Sequence, residues 1–320
     1  MTAAILLAVY AVMLAEVGPA LLRRVSWVER APRLGIVAWQ SLTAAVVAAV
    51  MMAGVAVALP ATPWGADLAH ELDACLMMLR DAYATPLSAP AIAASFAAAL
   101  LTCTAITVRM IYGVGAEVIR AQRERRWHLT VLRMVAHHDE RLDVLVIDYG
   151  APVAYCLPGR AGPIVLSTSA LAALDDRRLM AVLAHERAHL RSHHLLFTAV
   201  ARGLRRAFPF VVLFRTAEQE IDRLTELAAD DAAVTASDRL TVADALLTLA
   251  DDHNAPTCAL AAGSHRTGQR VRRLLGRTPP LRAIVFVIIG VLARAAIAAP
   301  LAVAALPGLL AITLGCCNTG

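Results

Sequence analysis

Long apolar runs alternate with arginine-rich stretches along this chain. Residues 34–59 carry no charge over 26 positions, and residues 86–108 none over 23. A third run, 3–22, is interrupted only by Glu16, Gly18 and Pro19. A fourth, 283–314, contains Arg294, Pro300 and Pro307. Each is long enough to cross about 30 Å of hydrocarbon as a helix. The first run lacks a basic leader and a small-residue cleavage site, so it is expected to stay as an anchor. The last is expected to supply one span, either as one long tilted helix or with 295–314 crossing and 283–293 on the surface.

The pattern changes between the third and fourth runs. Residues 109–135 are expected to continue the third span as a basic amphipathic helix. Residues 142–149, 153–157 and 164–168 read as short strands, with a Pro- and Gly-rich turn at 158–163. A helix is expected to start near Ser169, and Asp175 or Asp176 to cap the next one. Residues 193–214 are partly apolar but carry Arg202, Arg205, Arg206 and Pro209. They predict an amphipathic segment lying on the membrane, or else a plain buried helix. A further amphipathic helix is expected at 239–250, then a polar, mobile loop at 251–268. The fold class expected is a mainly α membrane protein: about four transmembrane helices around an α+β domain. Its parts would be a membrane domain at 1–108 (spans 3–22, 34–59 and 86–108), a cytoplasmic domain at 109–282 that carries the chemistry, and a final span and tail at 283–320.

The chemistry sits in His185-Glu186-Arg187-Ala188-His189, an HExxH. Residues four apart share one helix face, so both imidazoles can hold one metal ion, with Glu186 beside them as general base. With 10 His in 320 residues and Glu equally frequent, chance yields about 0.01 such matches. A catalytic zinc needs a third ligand. A histidine six residues after His189 would be one pattern, but Leu195 stands there. Glu226 and Asp230, four apart and wrapped in alanines, are the better candidates: Glu226 as ligand, Asp230 as hydrogen-bond acceptor for a ligand histidine. Glu218, Glu220 and His193 are lesser ligand candidates. His193, His194 and Tyr155 are candidates for oxyanion or substrate contacts. One Zn²⁺ is the expected cofactor, and the HExxH…ExxxD order is that of a gluzincin-type endopeptidase.

Composition sharpens this picture. The chain is 59% hydrophobic, with mean hydropathy +0.62, above the range of soluble globular proteins. Arginines crowd 23–33, 109–126 and 270–282, whereas 60–85 holds Arg80 against four acids. The positive-inside rule then puts the amino terminus and 60–85 outside, and 109–282 in the cytoplasm of a multi-pass cell-membrane protein. The net charge of +5 reflects these flanking arginines and calls for membrane lipid, not nucleic acid. All 30 basic residues are Arg, which excludes lysine-dependent nucleophiles and Schiff bases. Six cysteines without a CxxC suggest neither a disulfide framework nor a thiolate zinc site.

The chain resembles the integral-membrane zinc metallopeptidases of the beta-lactam sensor-transducer type (BlaR/MecR). The resemblance rests on 153–168, on Leu183-Ala184 with the HExxH, on Glu226-Leu-Ala-Ala-Asp230, and on Arg270-Val-Arg-Arg-Leu-Leu275. It extends over roughly 1–315. It implies a cytoplasmic peptidase held between membrane helices, cleaving a protein substrate such as a DNA-binding transcriptional repressor, and often itself. Sensor members add an extracellular penicillin-binding domain whose reactive Ser needs a Lys. This sequence has no Lys and stops just after its last span, so covalent beta-lactam sensing by that route is not expected. HExxH and ExxxD also resemble HtpX-like quality-control proteases. A non-catalytic membrane scaffold is a third alternative. A protease whose metal helix lies within the bilayer is disfavoured by Arg177, Arg178, Arg187 and Arg191 beside the motif.

Overall fold

The computed structural model describes residues 2–58, 89–157, 162–192, 194–250, 267–276 and 281–313. The acidic loop at 60–85, most of the 158–163 turn and of the 251–268 loop, and His193 lie outside them. Helices α1 (Thr2–Arg24) and α3 (Pro32–Ala58) flank a short α2 (Trp27–Arg30). Helix α4 runs from Ala89 to Val135, 47 residues without a break, or about 70 Å at 1.5 Å per residue. Apolar span and basic extension are thus one helix, uninterrupted at the domain boundary expected near 108. The carboxyl-terminal run is likewise one helix, α11 (Ala283–Thr313). Four helices, α1, α3, α4 and α11, are long and apolar enough to cross a membrane.

Between α4 and α11 lie a four-stranded sheet and six further described helices. Strands β1 (Ala136–Asp139), β2 (Val144–Ile147), β3 (Ala154–Cys156) and β4 (Ile164–Ser167) are ordered β1-β2-β4-β3. Strand β2 runs parallel to β4, and the other pairs are antiparallel. The pattern missed β1, because Ala136-His137-His138-Asp139 lacks apolar alternation and is shaped by pairing with β2. Both faces of the sheet are covered. Val144, Val146, Ile164 and Leu166 pack on Leu179, Val182 and Leu183 of α6 (Asp176–Arg191). Leu145, Ile147 and Val165 pack beneath Leu129 and Leu132 of α4. Helix α5 (Thr168–Ala173) starts at an N-cap, Ser167, whose hydroxyl accepts from Ala170 N–H. Asp175 caps α6 in the same way through Arg178 N–H.

Helices α7 (His194–Ala207), α8 (Val212–Ala236), α9 (Arg239–Ala250) and α10 (267–275) complete the fold. Of the two readings of 193–214, the buried helix describes one face of α7. Ala201, Leu204, Ala207 and Phe208 face protein, in a core shared with Trp39 and Leu42 of α3 and with Leu213, Ile221 and Leu224 of α8. The arginines that interrupt its hydropathy are used in ion pairs. Arg202 meets Asp222 at 3.2 Å, Arg205 meets Glu218 at 2.8 Å and Arg206 meets Glu117 at 2.6 Å. Arg109 of α4 donates Nε and Nη2 to the Ala207 carbonyl at 2.9 and 2.7 Å, satisfying an end carbonyl of α7.

Helices α4 and α7 approach at two glycines. A Cβ on Gly203 would stand 2.6 Å from the Val114 Cα, and one on Gly113 2.5 Å from the Gly203 carbonyl oxygen. Backbone cannot yield as a side chain does, so Gly203→Ala is expected to destabilise the protein by about 1–3 kcal/mol. Gly115→Ala, on α4 with nothing within 4 Å of the new Cβ, should be neutral or stabilising through helix propensity. Thermal unfolding of the two variants in detergent compares them directly.

Candidate metal centre

Helix α6 brings His185 and His189 onto one face, their Nε2 atoms 3.2 Å apart. Helix α8 lies against α6 and lays Glu226 across the pair. Its Oε2 is 3.6 Å from His185 Nε2, and its Oε1 is 3.5 Å from His189 Nε2. One ligand atom from each of the three falls within 4.8 Å of the others. The lesser carboxylate candidates are committed elsewhere: Glu218 to Arg205, and Glu220 to Arg223 at 2.9 Å.

Each ligand is held from behind. Asp230, 0% exposed, sets Oδ1 3.1 Å from His185 Nδ1, within ion-pair reach although off the line of a good hydrogen bond. Arg270 of α10 grips that carboxylate with two prongs, Nε to Oδ2 at 2.8 Å and Nη2 to Oδ1 at 2.6 Å. Its Nη1 also reaches Glu226 Oε2 at 3.0 Å. His194, 2% exposed, puts Nδ1 3.2 Å from His189 Nδ1. It therefore backs the His189 ring, on the side away from Glu226. Tyr155 and Cys156 of β3 line the cavity together with Glu186. His193 lies outside the described residues.

Arg270 and Cys156 carry roles the sequence did not reveal. Arg270 stood in a run of membrane-flanking arginines, 40 residues from Asp230, and no spacing rule links the two. The only available signal was physical: a carboxylate buried this deeply needs a cation. Cys156 was one of six cysteines with no spacing that marked it. In the fold it borders Glu186, and burial together with that charge pushes its pKa up to about 12, so it stays a protonated thiol.

The electrostatics suit a metal. Burial pulls the His189 pKa down to about 4, leaving a neutral imidazole ready to donate a lone pair. Burial also disfavours the His185 cation, but Asp230 and Glu226 outweigh it and hold the pKa at about 9. Burial opposes ionisation of Glu226 and Asp230, yet His185 and Arg270 bring both to about 2. Burial raises the Glu186 carboxyl, making it a better proton acceptor than a solvated carboxylate. Two imidazoles and one carboxylate, opening on a cavity of about 1380 Å³, fit a zinc ion with an accessible fourth position.

Residues 120–228 match the model of Peptidase family M48, a zinc metallopeptidase family. The match covers roughly a third of the chain, from the basic half of α4 through the HExxH helix to Glu226. No curated protein and no solved structure matches the chain. The matched segment indicates a metallopeptidase domain, joined here to helices able to span a membrane.

These pKa values set the proton balance of metal binding. At pH 7 His185 is charged, His189 neutral, and Glu226 and Asp230 ionised. Zinc binding should release about one proton, and affinity should rise about tenfold per pH unit until about pH 9. Calorimetry in buffers of different ionisation enthalpy measures that release. His194→Ala should weaken zinc binding about 10–100-fold while the fold persists, because His189 loses the group that orients it. Competition with a chromophoric chelator reads that loss.

Proposed function

We propose that this protein is a membrane-embedded zinc metalloendopeptidase whose active site faces the cytoplasm and cuts a defined regulatory protein, such as a transcriptional repressor, as the BlaR/MecR resemblance implies. The observation carrying the peptidase chemistry is the convergence of His185, His189 and Glu226 beside Glu186 in one cavity. Zinc held there would supply Lewis acidity and bring the pKa of a water to about 7. Glu186 takes the proton of the attacking water at its carboxylate and returns it to the leaving amide nitrogen. Asp230 and Arg270 keep His185 in register, and His194 does the same for His189. Strand β3 ends the described sheet, so its outer side offers backbone groups to an extended peptide passing Tyr155 and Cys156.

The cytoplasmic orientation rests on charge. Arg23 and Arg30, at the junction of α1 and α3, line the same cavity as the metal ligands. The arginine-rich side of the spans and the catalytic side are therefore the same side, and arginine-rich loops face the cytoplasm. A second reading, an HtpX-like quality-control protease with broad substrates, is favoured by the match to Peptidase family M48 and by a cavity roomy enough for unrelated sequences.

Glu186→Gln should retain zinc and lower cleavage by a factor of about 10² or more, since it removes the general base. His185→Ala should lose metal and activity together. Mapping new amino termini in cells expressing wild type or Glu186→Gln tests both chemistry and breadth. One cytoplasmic protein cut only by wild type fits the regulatory reading, and many membrane proteins cut fits quality control. Equal cutting by both would remove Glu186 from the mechanism.

A further inference from the structure

The cavity extends beyond the metal ligands to a wall built by the α1–α3 junction, α8 and α10. Its acids are almost all spoken for. Arg270 holds Glu226. Arg223 meets Glu220 at 2.9 Å and Glu29 at 2.9 Å, and Arg202 meets Asp222 at 3.2 Å. Glu186, the proposed base, is the remaining lining acid. Two guanidinium groups on the wall have no acidic partner among the described residues, Arg30 and Arg272. The Arg30 side chain makes one long hydrogen bond, Nη2 to Ser26 Oγ at 3.4 Å. Its Nε is shielded from water and unpartnered, a state that costs free energy until an acceptor arrives.

The wall is also braced. Arg273 of α10 donates Nε to the Glu29 carbonyl at 2.9 Å and grips Asp231 of α8 with two prongs at 2.8 and 2.9 Å. Arg223 ties Glu29 to α8 as well. Arg30 and Arg272 are the chain neighbours of this linked pair, Glu29 and Arg273. Two unspent cations thus line a cavity whose acids, Glu186 apart, are paired. A guanidinium presents a planar fork that matches a carboxylate, with the surplus charge drawing it in.

We infer that Arg30 and Arg272 form a subsite for an acidic side chain, so that the protein selects peptide segments carrying Asp or Glu near the bond to be cut. This rests on the peptidase reading and names its substrate class. The choice is then made where the first two spans join, at the membrane boundary.

Binding tests the subsite independently of catalysis. Full-length Glu186→Gln protein, zinc-loaded in phosphatidylcholine nanodiscs, is titrated with fluorescent peptides that differ only by Glu or Gln at one position. The Glu peptide should bind about tenfold more tightly at its best position, as one charge-assisted contact allows. Arg30→Ala with Arg272→Ala should abolish that preference and leave the Gln peptide unchanged, which also shows the variant is folded. Arg30→Glu should turn the preference toward an Arg-bearing peptide. Equal binding of both peptides overturns the inference, as does a preference that survives the double variant. So does a result in which the arginine variants alter only the response to added anionic lipid, since the subsite would then hold headgroups. Cleavage by the wild-type protein is scored separately. Selective binding without cleavage leaves the subsite standing and sinks the peptidase reading.

Discussion

A fully buried carboxylate, Asp230, organises the candidate metal centre of this molecule. An ionised side chain at 0% exposure is untenable unless cations and donors surround it. Arg270 answers with a two-pronged contact, and the far nitrogen of His185 completes the surroundings. That need brings α10 down onto α8 and turns the metal-facing nitrogen of His185 toward His189 and Glu226. Removing Arg270 would leave a buried charge facing a ligand histidine, so metal geometry and local stability rest on the same contact.

The helix carrying Glu226 and Asp230 is in turn braced by α3, one of the helices able to cross a membrane. Ile36, Trp39 and Leu42 of α3 share a core with Ile221, Leu224 and Leu227 of α8, and Leu224 fills the space beside Gly35. The other two ligands sit on α6, which is backed by the sheet. The site therefore forms where an α3-braced helix meets a sheet-braced one.

Helix α7 shows how arginines can belong to a packed helix. Three arginines in fourteen residues suggested a surface segment, yet each reaches an acid on α4 or α8 while the apolar face enters the core. Arginine carries a long apolar stem, so it borders a core and still delivers its charge to a partner. The partners are too far away in sequence for a local pattern to reveal them.

Local periodicity was enough for the four long apolar helices, three of the four strands, the cap at Asp175, and the HExxH face. Each depends on residues within one or two turns of one another. Glu226 and Asp230 were singled out because a catalytic metal needs a third ligand, and the fold does bring Glu226 beside both histidines and Asp230 behind His185. Tertiary structure alone decided the rest: that Arg270 is the counter-charge of Asp230, that His194 stands behind His189, that Cys156 borders Glu186, and that Arg30 from the first loop shares a cavity with the metal ligands. Those pairings join groups far apart in the chain or on different elements. They exist only after burial has made an unpaired charge too costly to leave alone.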